Sequence, residues 1–153
     1  MEIENFKTFK GKTEITFSPK FNIIVGLNGS GKTNLLEAIC FGLGKEVDKK
    51  AITVNQDFAK VTVYLSNGEK ISQKITRADY MNNNKVNYAN YDDLNVKIID
   101  NFGCTLNEKD FKEYGEYIKK CSNEIQIIAA GLVEYFTTFA DKVINLRIHS
   151  FLI

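Results

Sequence analysis

The order of apolar and polar residues in the first 45 positions predicts strands followed by a helix. Ile15 and Phe17 alternate with polar residues, and Ser18-Pro19 then interrupts the pattern before the largely apolar run 21–25. This order is typical of an outer strand followed by a buried one. Beyond Asn34 the apolar residues share one helical face up to Gly44, where a helix would end: Leu35, Leu36, Ile39, Cys40 and Leu43.

Strict alternation on both sides of Asn67-Gly68 predicts a β-hairpin, because this dipeptide readily takes the positive φ of a tight turn. The alternating residues are Val61, Val63 and Leu65 before the turn, and Ile71, Gln73 and Ile75 after it. Residues 81–90 are rich in asparagine and predict a surface loop, with a short strand at 85–88 as the alternative. Asp92-Asp93 then predicts the cap of a short helix that closes at Gly103.

The last segment of the chain predicts a helix with one apolar stripe. Its apolar residues recur at three- and four-residue steps: Leu132, Phe136, Phe139, Val143 and Leu146. The pattern alone fits a helix of the domain's own core, and it also fits the beginning of a coiled coil, which barely two heptads do not establish.

Composition limits the class of protein but says little about its partners. The 153 residues are 44% hydrophobic and 25% charged, which is typical of one globular domain. The 20 basic and 19 acidic residues nearly cancel, so any contact with nucleic acid needs a local patch. Three cysteines without C-x-x-C spacing indicate a reducing compartment. No apolar run reaches the roughly 18 residues that span a bilayer, so we expect no membrane partner.

Residues 26–33 form the candidate binding motif of the chain. Their sequence is Gly-Leu-Asn-Gly-Ser-Gly-Lys-Thr, and they follow the apolar run directly. This is the pattern of a loop whose backbone N–H groups surround a phosphate at the N-terminus of a helix. An ordinary glycine turn is the alternative, but strand, loop, Lys-Thr and helix follow in the order that phosphate binding requires. The predicted nucleotide-binding residues are Gly26, Leu27, Asn28, Gly29, Ser30, Gly31, Lys32, Thr33 and Asn34. Among them Lys32 is the predicted catalytic residue and Thr33 the predicted magnesium ligand.

Several segments resemble the N-terminal lobe of an SMC-type ATPase head, the group that includes cohesin, condensin and, more distantly, Rad50 and RecF. The specific match covers the first 45 residues, where Asn28 and Asn34 separate the loop from those of generic kinases and transporters. The resemblance is looser over 60–75 and 85–103. Residues 122–129 are similar to the family's Q-loop, and Gly131-Leu-Val-Glu-Tyr-Phe136 is most similar to the lead into the coiled coil of the larger condensin SMC subunit.

The resemblance implies an α/β fold of the P-loop NTPase class, an ABC-type half-head with a mixed sheet, a β-hairpin and a C-terminal helix leading toward a coiled coil. The implied domains are a nucleotide-binding lobe at 1–130 and the beginning of the arm at 131–153. The implied cofactors are ATP and Mg²⁺. The implied partners are the C-terminal lobe of an SMC head, which hydrolysis would need, and a second SMC subunit. The implied location is the chromosome in a eukaryotic nucleus, or otherwise the cytoplasm.

Three departures from the family pattern bear on activity. Ser122 stands where the Q-loop has glutamine. Lys45, Lys49 and Lys50 replace an expected arginine, so this loop is a DNA contact or simply a solvated segment. Residues 96–100 only faintly fit an apolar strand ending in a magnesium-binding Asp100, because Lys97 interrupts them and the segment reads as helix.

Two function classes therefore follow, and a third is weaker. The first is an ATP-dependent chromosome-organising ATPase with little activity as a lone half-head. The second is a degenerate SMC-like lobe that binds nucleotide or a partner without catalysis, which Ser122 favours. An unrelated small P-loop kinase or GTPase is the third, although nothing after the hairpin supplies a lid or a base-recognition motif.

Overall fold

The computed structural model describes residues 1–47, 49–81, 94–104, 106–131 and 134–146. In chain order the strands are β1 (Glu2–Phe6), β2 (Phe9–Glu14), β3 (Phe21–Val25), β4 (Phe58–Tyr64), β5 (Lys70–Thr76), β6 (Val96–Ile99), β7 (Gln126–Gly131) and β8 (Lys142–Asn145). The helices are α1 (Lys32–Gly42), α2 (Arg77–Met81) and α3 (Glu108–Cys121), and short 3₁₀ turns cover Lys49–Ala51 and Glu134–Thr138. The described helices are all too short or too polar to cross a membrane.

The chain divides into two compact units. Unit 1 consists of Met1–Thr16 and Glu37–Asp93, and unit 2 consists of Phe17–Leu36 and Leu94–Ile153. Unit 1 contains an antiparallel sheet in the order β2-β1-β4-β5, and unit 2 contains a parallel sheet in the order β6-β7-β3-β8. The predicted α/β class is therefore confirmed, and the antiparallel and parallel strands lie in separate sheets rather than in one mixed sheet.

The hairpin predicted around Asn67-Gly68 is the pair β4 and β5 in unit 1. The two strands keep register from Phe58 opposite Thr76 to Tyr64 opposite Lys70, and Gly68 has the positive φ of 88° that the turn requires. Alternate residues of β5 are buried, as the two-residue period predicted, and β4 follows this period only as far as Val61, because Thr62 is buried as well. A Cβ on Gly42 would lie 2.7 Å from Val63 and 2.8 Å from Val61, so this end of α1 packs closely on the buried side of β4.

The largely apolar run at 21–25 is the inner strand β3 of the parallel sheet in unit 2. All five of its residues are buried, because β7 and β8 pair with it on either side. Asn22 is the polar exception, and its amide donates to the carbonyl oxygens of Ser18 at 2.8 Å and of Ile127 at 3.2 Å. The sequence therefore places a polar residue inside this sheet at no loss of hydrogen bonding.

The core of unit 2 is built around the ring of Phe102, just after β6. This ring makes edge contacts with Phe21 at 5.9 Å and with Phe136 at 4.6 Å between centroids, and it stacks on Tyr114 of α3 at 5.4 Å. Phe102, Phe21 and Phe136 are all buried. Aromatic packing therefore joins the parallel sheet to α3 and to the segment after β7.

The helix predicted between residues 92 and 103 is wrong where the structure describes it. Residues 96–99 form β6, which runs parallel to β7 from Val96 opposite Gln126 to Ile99 opposite Ala129. The segment is rich in β-branched residues, and Lys97 is exposed, so the charge that suggested a helix faces solvent from a strand. The predicted capping residues Asp92 and Asp93, and the loop at 82–90, lie outside the described residues.

The helix predicted from Leu132 onward is also wrong. The described part of this segment is the 3₁₀ turn Glu134–Thr138 followed by β8, which pairs in parallel with β3. The residues of the predicted stripe do not share one buried face, because Phe136 and Leu146 are buried whereas Val143 is 42% exposed. Strand β7 crosses the predicted boundary at residue 130, and both sides of that boundary belong to unit 2.

Asp141 connects the entry of β8 with two other elements of unit 2. Its carboxylate accepts hydrogen bonds from the backbone N–H of Phe21 at 3.1 Å and from Lys119 Nζ at 2.6 Å. The Lys119 hydrogen bond, assisted by the Phe21 N–H, lowers the pKa of Asp141. A carboxyl group whose pKa is lower in the folded state stabilises the fold above its unfolded pKa, and this contribution is lost as the pH falls.

We therefore expect Asp141→Asn to lower the free energy of unfolding by about 1 kcal/mol at about pH 7. Because the side chain is partly exposed, solvent screening keeps this effect small. The difference from wild type should shrink below about pH 4, the ordinary range of aspartate titration. Urea unfolding at both pH values measures it, with the exposed Glu124→Gln as control. A loss that is the same at both pH values would contradict this role of the charge.

Candidate nucleotide site

The segment between β3 and α1 has the backbone of a phosphate-binding loop. Gly29 and Gly31 have φ of 80° and 96°, which residues with a Cβ rarely adopt. Ser30 N–H donates to Leu27 O at 3.0 Å, and Leu35 N–H donates to Gly31 O at 2.9 Å, which starts the helix. The loop therefore curls into the N-terminus of α1, where free N–H groups and the helix dipole favour an anion.

Gly26 and Ser30 face each other across the base of this loop. A Cβ on Gly26 would lie 2.4 Å from Ser30 Oγ, so a larger residue at position 26 would force the Ser30 side chain to move. Ser30 Oγ is itself buried and has no hydrogen-bond partner among the described residues. A buried hydroxyl without a partner is costly, and a bound phosphate would supply acceptor oxygens to it.

The ammonium of Lys32 lies across the loop. Lys32 Nζ donates to Gly26 O at 2.7 Å and to Leu27 O at 3.0 Å. Burial lowers the pKa of this lysine, while the carboxylate of Asp100 acts in the opposite direction. These two hydrogen bonds hold the Lys32 ammonium beside the phosphate-binding loop. Oxygens of a bound phosphate would replace the two carbonyl oxygens as its acceptors.

Asp100 is the residue that the sequence underrated. It follows β6 directly, and its Oδ2 accepts a hydrogen bond from Thr33 Oγ1 at 3.1 Å. The contact follows from the topology, because β6, β7 and β3 are parallel and their carboxyl ends lie at one edge of the sheet. A threonine hydroxyl and a carboxylate are the oxygen ligands that Mg²⁺ takes in P-loop NTPases. The sequence does contain a short apolar segment that ends in Asp100. This pattern indicates a metal ligand only when the segment is known to be a strand.

The remaining predicted residues form the outer part of the loop. Leu27 is 61% exposed, and Asn28, Gly29 and Thr33 are also exposed. Asn34 is half-buried and already takes part in an interaction within the protein. The structure therefore brings Gly26, Ser30, Lys32 and Thr33 together with Asp100, and it leaves the tip of the loop open to solvent.

Ser122 does not lie at this edge of the sheet. It caps the C-terminus of α3, is buried, and its hydroxyl donates to Lys119 O at 2.6 Å. The residues that resemble a Q-loop lie just before β7 and at its beginning. The other end of β7 is Gly131, which pairs with Val25, the residue just before the phosphate-binding loop. Five paired residues of a strand span about 13 Å, so Ser122 is at the opposite end of the strands. Its mismatch with the Q-loop glutamine therefore says nothing about catalysis.

The residue that follows Asp100 is Asn101, whose side chain is a neutral amide. Asn101 has a positive φ of 51°, and its backbone N–H donates to Asp100 Oδ1 at 2.8 Å. This bond orients the Asp100 carboxylate toward Thr33, but an amide side chain cannot accept a proton from water. No group of three or more His, Cys, Asp or Glu that could hold a metal by itself occurs in the described ranges. The site thus fits a metal bound together with phosphate.

The chain is similar in sequence and in fold to several known proteins. The family described as AAA domain matches residues 1–148. Structural maintenance of chromosomes protein 2 of Saccharomyces cerevisiae is 58% identical over 43 residues, which are 28% of this chain and 4% of that protein. Chromosome partition protein Smc of Synechocystis is 36% identical over 89 residues, 48% of this chain and 7% of that protein. The crystal structure of the SmcHead bound to the C-winged helix domain of ScpA has a TM-score of 0.71 at 15% identity, covering 94% of this chain and 92% of that one.

The fold and the loop define a P-loop NTPase, and the chain belongs to the AAA domain family. More closely, part of the chain is similar in sequence to SMC proteins, and its fold is that of solved SMC head structures. Membership implies nucleotide binding with a metal ion. The chain spans only about 4% of the length of the SMC2 relative.

Proposed function

We propose that this chain binds magnesium ATP through residues 26–34 and Asp100, as the nucleotide-binding part of an SMC-type chromosome-organising ATPase. The observation that carries the proposal is the 3.1 Å contact between Thr33 Oγ1 and Asp100 Oδ2 beside the phosphate loop. It supports a metal position within one chain, next to the place where the loop receives phosphates. On this proposal the two metal ligands, Thr33 and Asp100, both come from this chain.

Each residue of the site has a separate role. The loop N–H groups bind the phosphates. Lys32 donates its hydrogen bonds to phosphate oxygens instead of to the carbonyl oxygens of Gly26 and Leu27. The Ser30 hydroxyl gains the acceptor that it lacks. Thr33 and Asp100 hold the metal, which when bound neutralises charge on the terminal phosphates. Gly26 stays small so that Ser30 can remain inside the loop.

Hydrolysis needs a group that positions the attacking water, and Asn101 does not replace a carboxylate in that role. We propose that the isolated chain turns over ATP slowly at most, and that the C-terminal lobe of a head or a second SMC subunit supplies the missing group. A condensin-type assembly on the chromosome, in the nucleus of a eukaryote or the cytoplasm of a bacterium, is the setting we propose.

A non-catalytic SMC-like lobe is the second candidate function, and Asn101 is the observation that favours it. Steady ATP hydrolysis by the pure chain that disappears in Lys32→Ala would exclude it. DNA contact through the loop 45–50 stays a prediction of the sequence, because the side chain of Lys49 lies outside the described residues, and Lys45 and Lys50 already take part in interactions.

Lys32→Ala tests the nucleotide site. We expect it to weaken ATP binding at least about tenfold, because a charge-assisted hydrogen bond contributes roughly 1.5–3 kcal/mol. Titration calorimetry with ATP and excess Mg²⁺ measures the affinity. Lys109→Ala, which removes an exposed lysine from α3, is the matched control and should bind like wild type. Equal affinity of all three proteins would refute the assignment of this loop.

A further inference from the structure

The dipeptide Asn-Gly occurs twice in the sequence, as Asn28-Gly29 in the phosphate-binding loop and as Asn67-Gly68 in the turn of the hairpin. Asparagine loses its amide most easily before glycine, because glycine has no Cβ to keep its backbone nitrogen away from the asparagine side chain. Both asparagines are exposed, and both glycines have a positive φ, 80° at Gly29 and 88° at Gly68. Sequence, exposure and φ therefore do not distinguish the two sites.

Hydrogen bonds restrain both members of the pair in the hairpin. The side-chain oxygen of Asn67 accepts a hydrogen bond from the backbone N–H of Glu69 at 2.9 Å, and its amide nitrogen donates to the Glu69 carboxylate at 3.1 Å. The backbone N–H of Gly68 donates to Leu65 O at 3.1 Å. The Gly68 nitrogen can attack the side-chain carbon of Asn67 only after these bonds have opened, so the folded hairpin opposes the reaction.

The pair in the phosphate-binding loop is not restrained in this way. The hydrogen bond from Ser30 N–H to Leu27 O closes the turn around the pair without involving either of its members. Among the residues that the structure describes, neither the Asn28 side chain nor the Gly29 N–H has a hydrogen-bond partner. The described part of the protein therefore restrains neither the attacking nitrogen nor the carbon that it attacks.

We propose that Asn28 is a site of spontaneous deamidation that inactivates the phosphate-binding loop, and that a bound nucleotide protects it. The Gly29 nitrogen loses its proton to solvent and forms a bond to the side-chain carbon of Asn28. The bond from that carbon to the amide nitrogen breaks, and ammonia leaves with a proton from solvent as a five-membered imide forms. Water then opens the imide at one of its two carbonyl carbons, which leaves aspartate or isoaspartate at position 28. The net reaction consumes one water and needs no oxidant or reductant.

Both products oppose nucleotide binding for an electrostatic reason. Each places a carboxylate in a loop whose N–H groups would surround phosphates, and isoaspartate also adds a methylene group to the backbone. Protection has the same origin as binding, because a loop N–H that donates to a phosphate oxygen keeps its proton and cannot attack. The protection rests on the proposed function, whereas the deamidation of Asn28 does not.

Incubation of the full chain at mildly alkaline pH tests the deamidation. Peptide mass spectrometry follows both Asn-Gly pairs in one sample, through the mass gained when an amide becomes an acid. We expect Asn28 to convert at least about tenfold faster than Asn67, because at Asn67 hydrogen bonds worth about 1 kcal/mol each must open first. In concentrated urea the two rates should become similar, which assigns the difference to the fold. Equal rates in the folded chain, or faster conversion of Asn67, would overturn the proposal.

The same incubation with nucleotide tests the protection. With Mg²⁺ and ATP at about ten times the dissociation constant, conversion of Asn28 should slow about tenfold, in proportion to the fraction of free protein. Conversion of Asn67 should not change, and Lys32→Ala should lose most of the protection at the same ATP concentration. If wild type binds ATP and Asn28 still converts at the unprotected rate, the protection is refuted. If wild type does not bind ATP, the proposed function fails, and the ratio of the two rates without ATP still decides whether Asn28 is the deamidation site.

Calorimetry on samples taken during the incubation tests the inactivation. The fraction of wild type that binds ATP should fall in step with the conversion of Asn28. Asn28→Gln cannot form the five-membered imide, so whatever fraction of this variant binds ATP at the beginning should still bind it at the end. Asn67→Gln is the matched control and should lose ATP binding at the wild-type rate. An equal loss in Asn28→Gln would show that the damage lies elsewhere in the chain and would overturn the proposal.

Discussion

Phe102→Ala is expected to lower the free energy of unfolding by about 3–5 kcal/mol, the usual loss when a large aromatic residue is removed from a packed core. The Phe102 ring touches Phe21 of the inner strand, Tyr114 of α3 and Phe136 of the segment after β7. Its loss leaves a cavity where three elements meet. Because a domain is stable by only about 5–15 kcal/mol, the variant should be largely unfolded well below the melting temperature of wild type.

Urea unfolding followed by circular dichroism measures this effect. Tyr117→Ala is the matched control, because this tyrosine is also aromatic and on α3 but is 60% exposed. We expect the control to lose less than about 1 kcal/mol. If Phe102→Ala were no more destabilising than Tyr117→Ala, the aromatic cluster would not be the core of unit 2.

The parts of the fold that the sequence predicted are those whose signals are local. The phosphate loop needs glycine where φ is positive, and it lies between a buried strand and a helix, so a few adjacent residues specify it. The hairpin depends on the turn at Gly68 and on alternation next to that turn. In both cases the residues that determine the structure are close in sequence to the residues that form it.

The parts that the sequence missed depend on distant partners. Strand β8 pairs with β3 across more than a hundred residues, from Asn22 to Lys142. Nothing near Val143 reveals that pairing, and its spacing from Phe136 and Leu146 fits a helix equally well. Strand β6 lies at the edge of its sheet and is only half-buried. Its apolar pattern is therefore short and is interrupted by Lys97. Without the strand, the position of Asp100 at the nucleotide site could not be recognised.

The strongest test of that position is Asp100→Asn. Asparagine has nearly the same shape and can still accept the hydrogen bond of Thr33, so the loop should keep its geometry. It lacks the negative charge that Mg²⁺ requires of a strong oxygen ligand. We expect the affinity for ATP in the presence of Mg²⁺ to fall by about a hundredfold, or about 2.7 kcal/mol. Calorimetry with Mg²⁺ and again with EDTA separates the metal from the phosphates.

With EDTA the difference in ATP affinity between Asp100→Asn and wild type should change sign. Wild type then places the Asp100 carboxylate beside the uncompensated phosphates, whereas the variant has a neutral amide there, so Asp100→Asn should bind metal-free ATP at least as well as wild type. The control is Asp110→Asn, which removes the same charge from an exposed position of α3 and should follow wild type in both media. A variant that weakens ATP equally with and without Mg²⁺ would show that Asp100 supports the loop rather than the metal. If Asp100→Asn bound Mg²⁺ and ATP like wild type, the acidic metal ligand would have to be a residue other than Asp100.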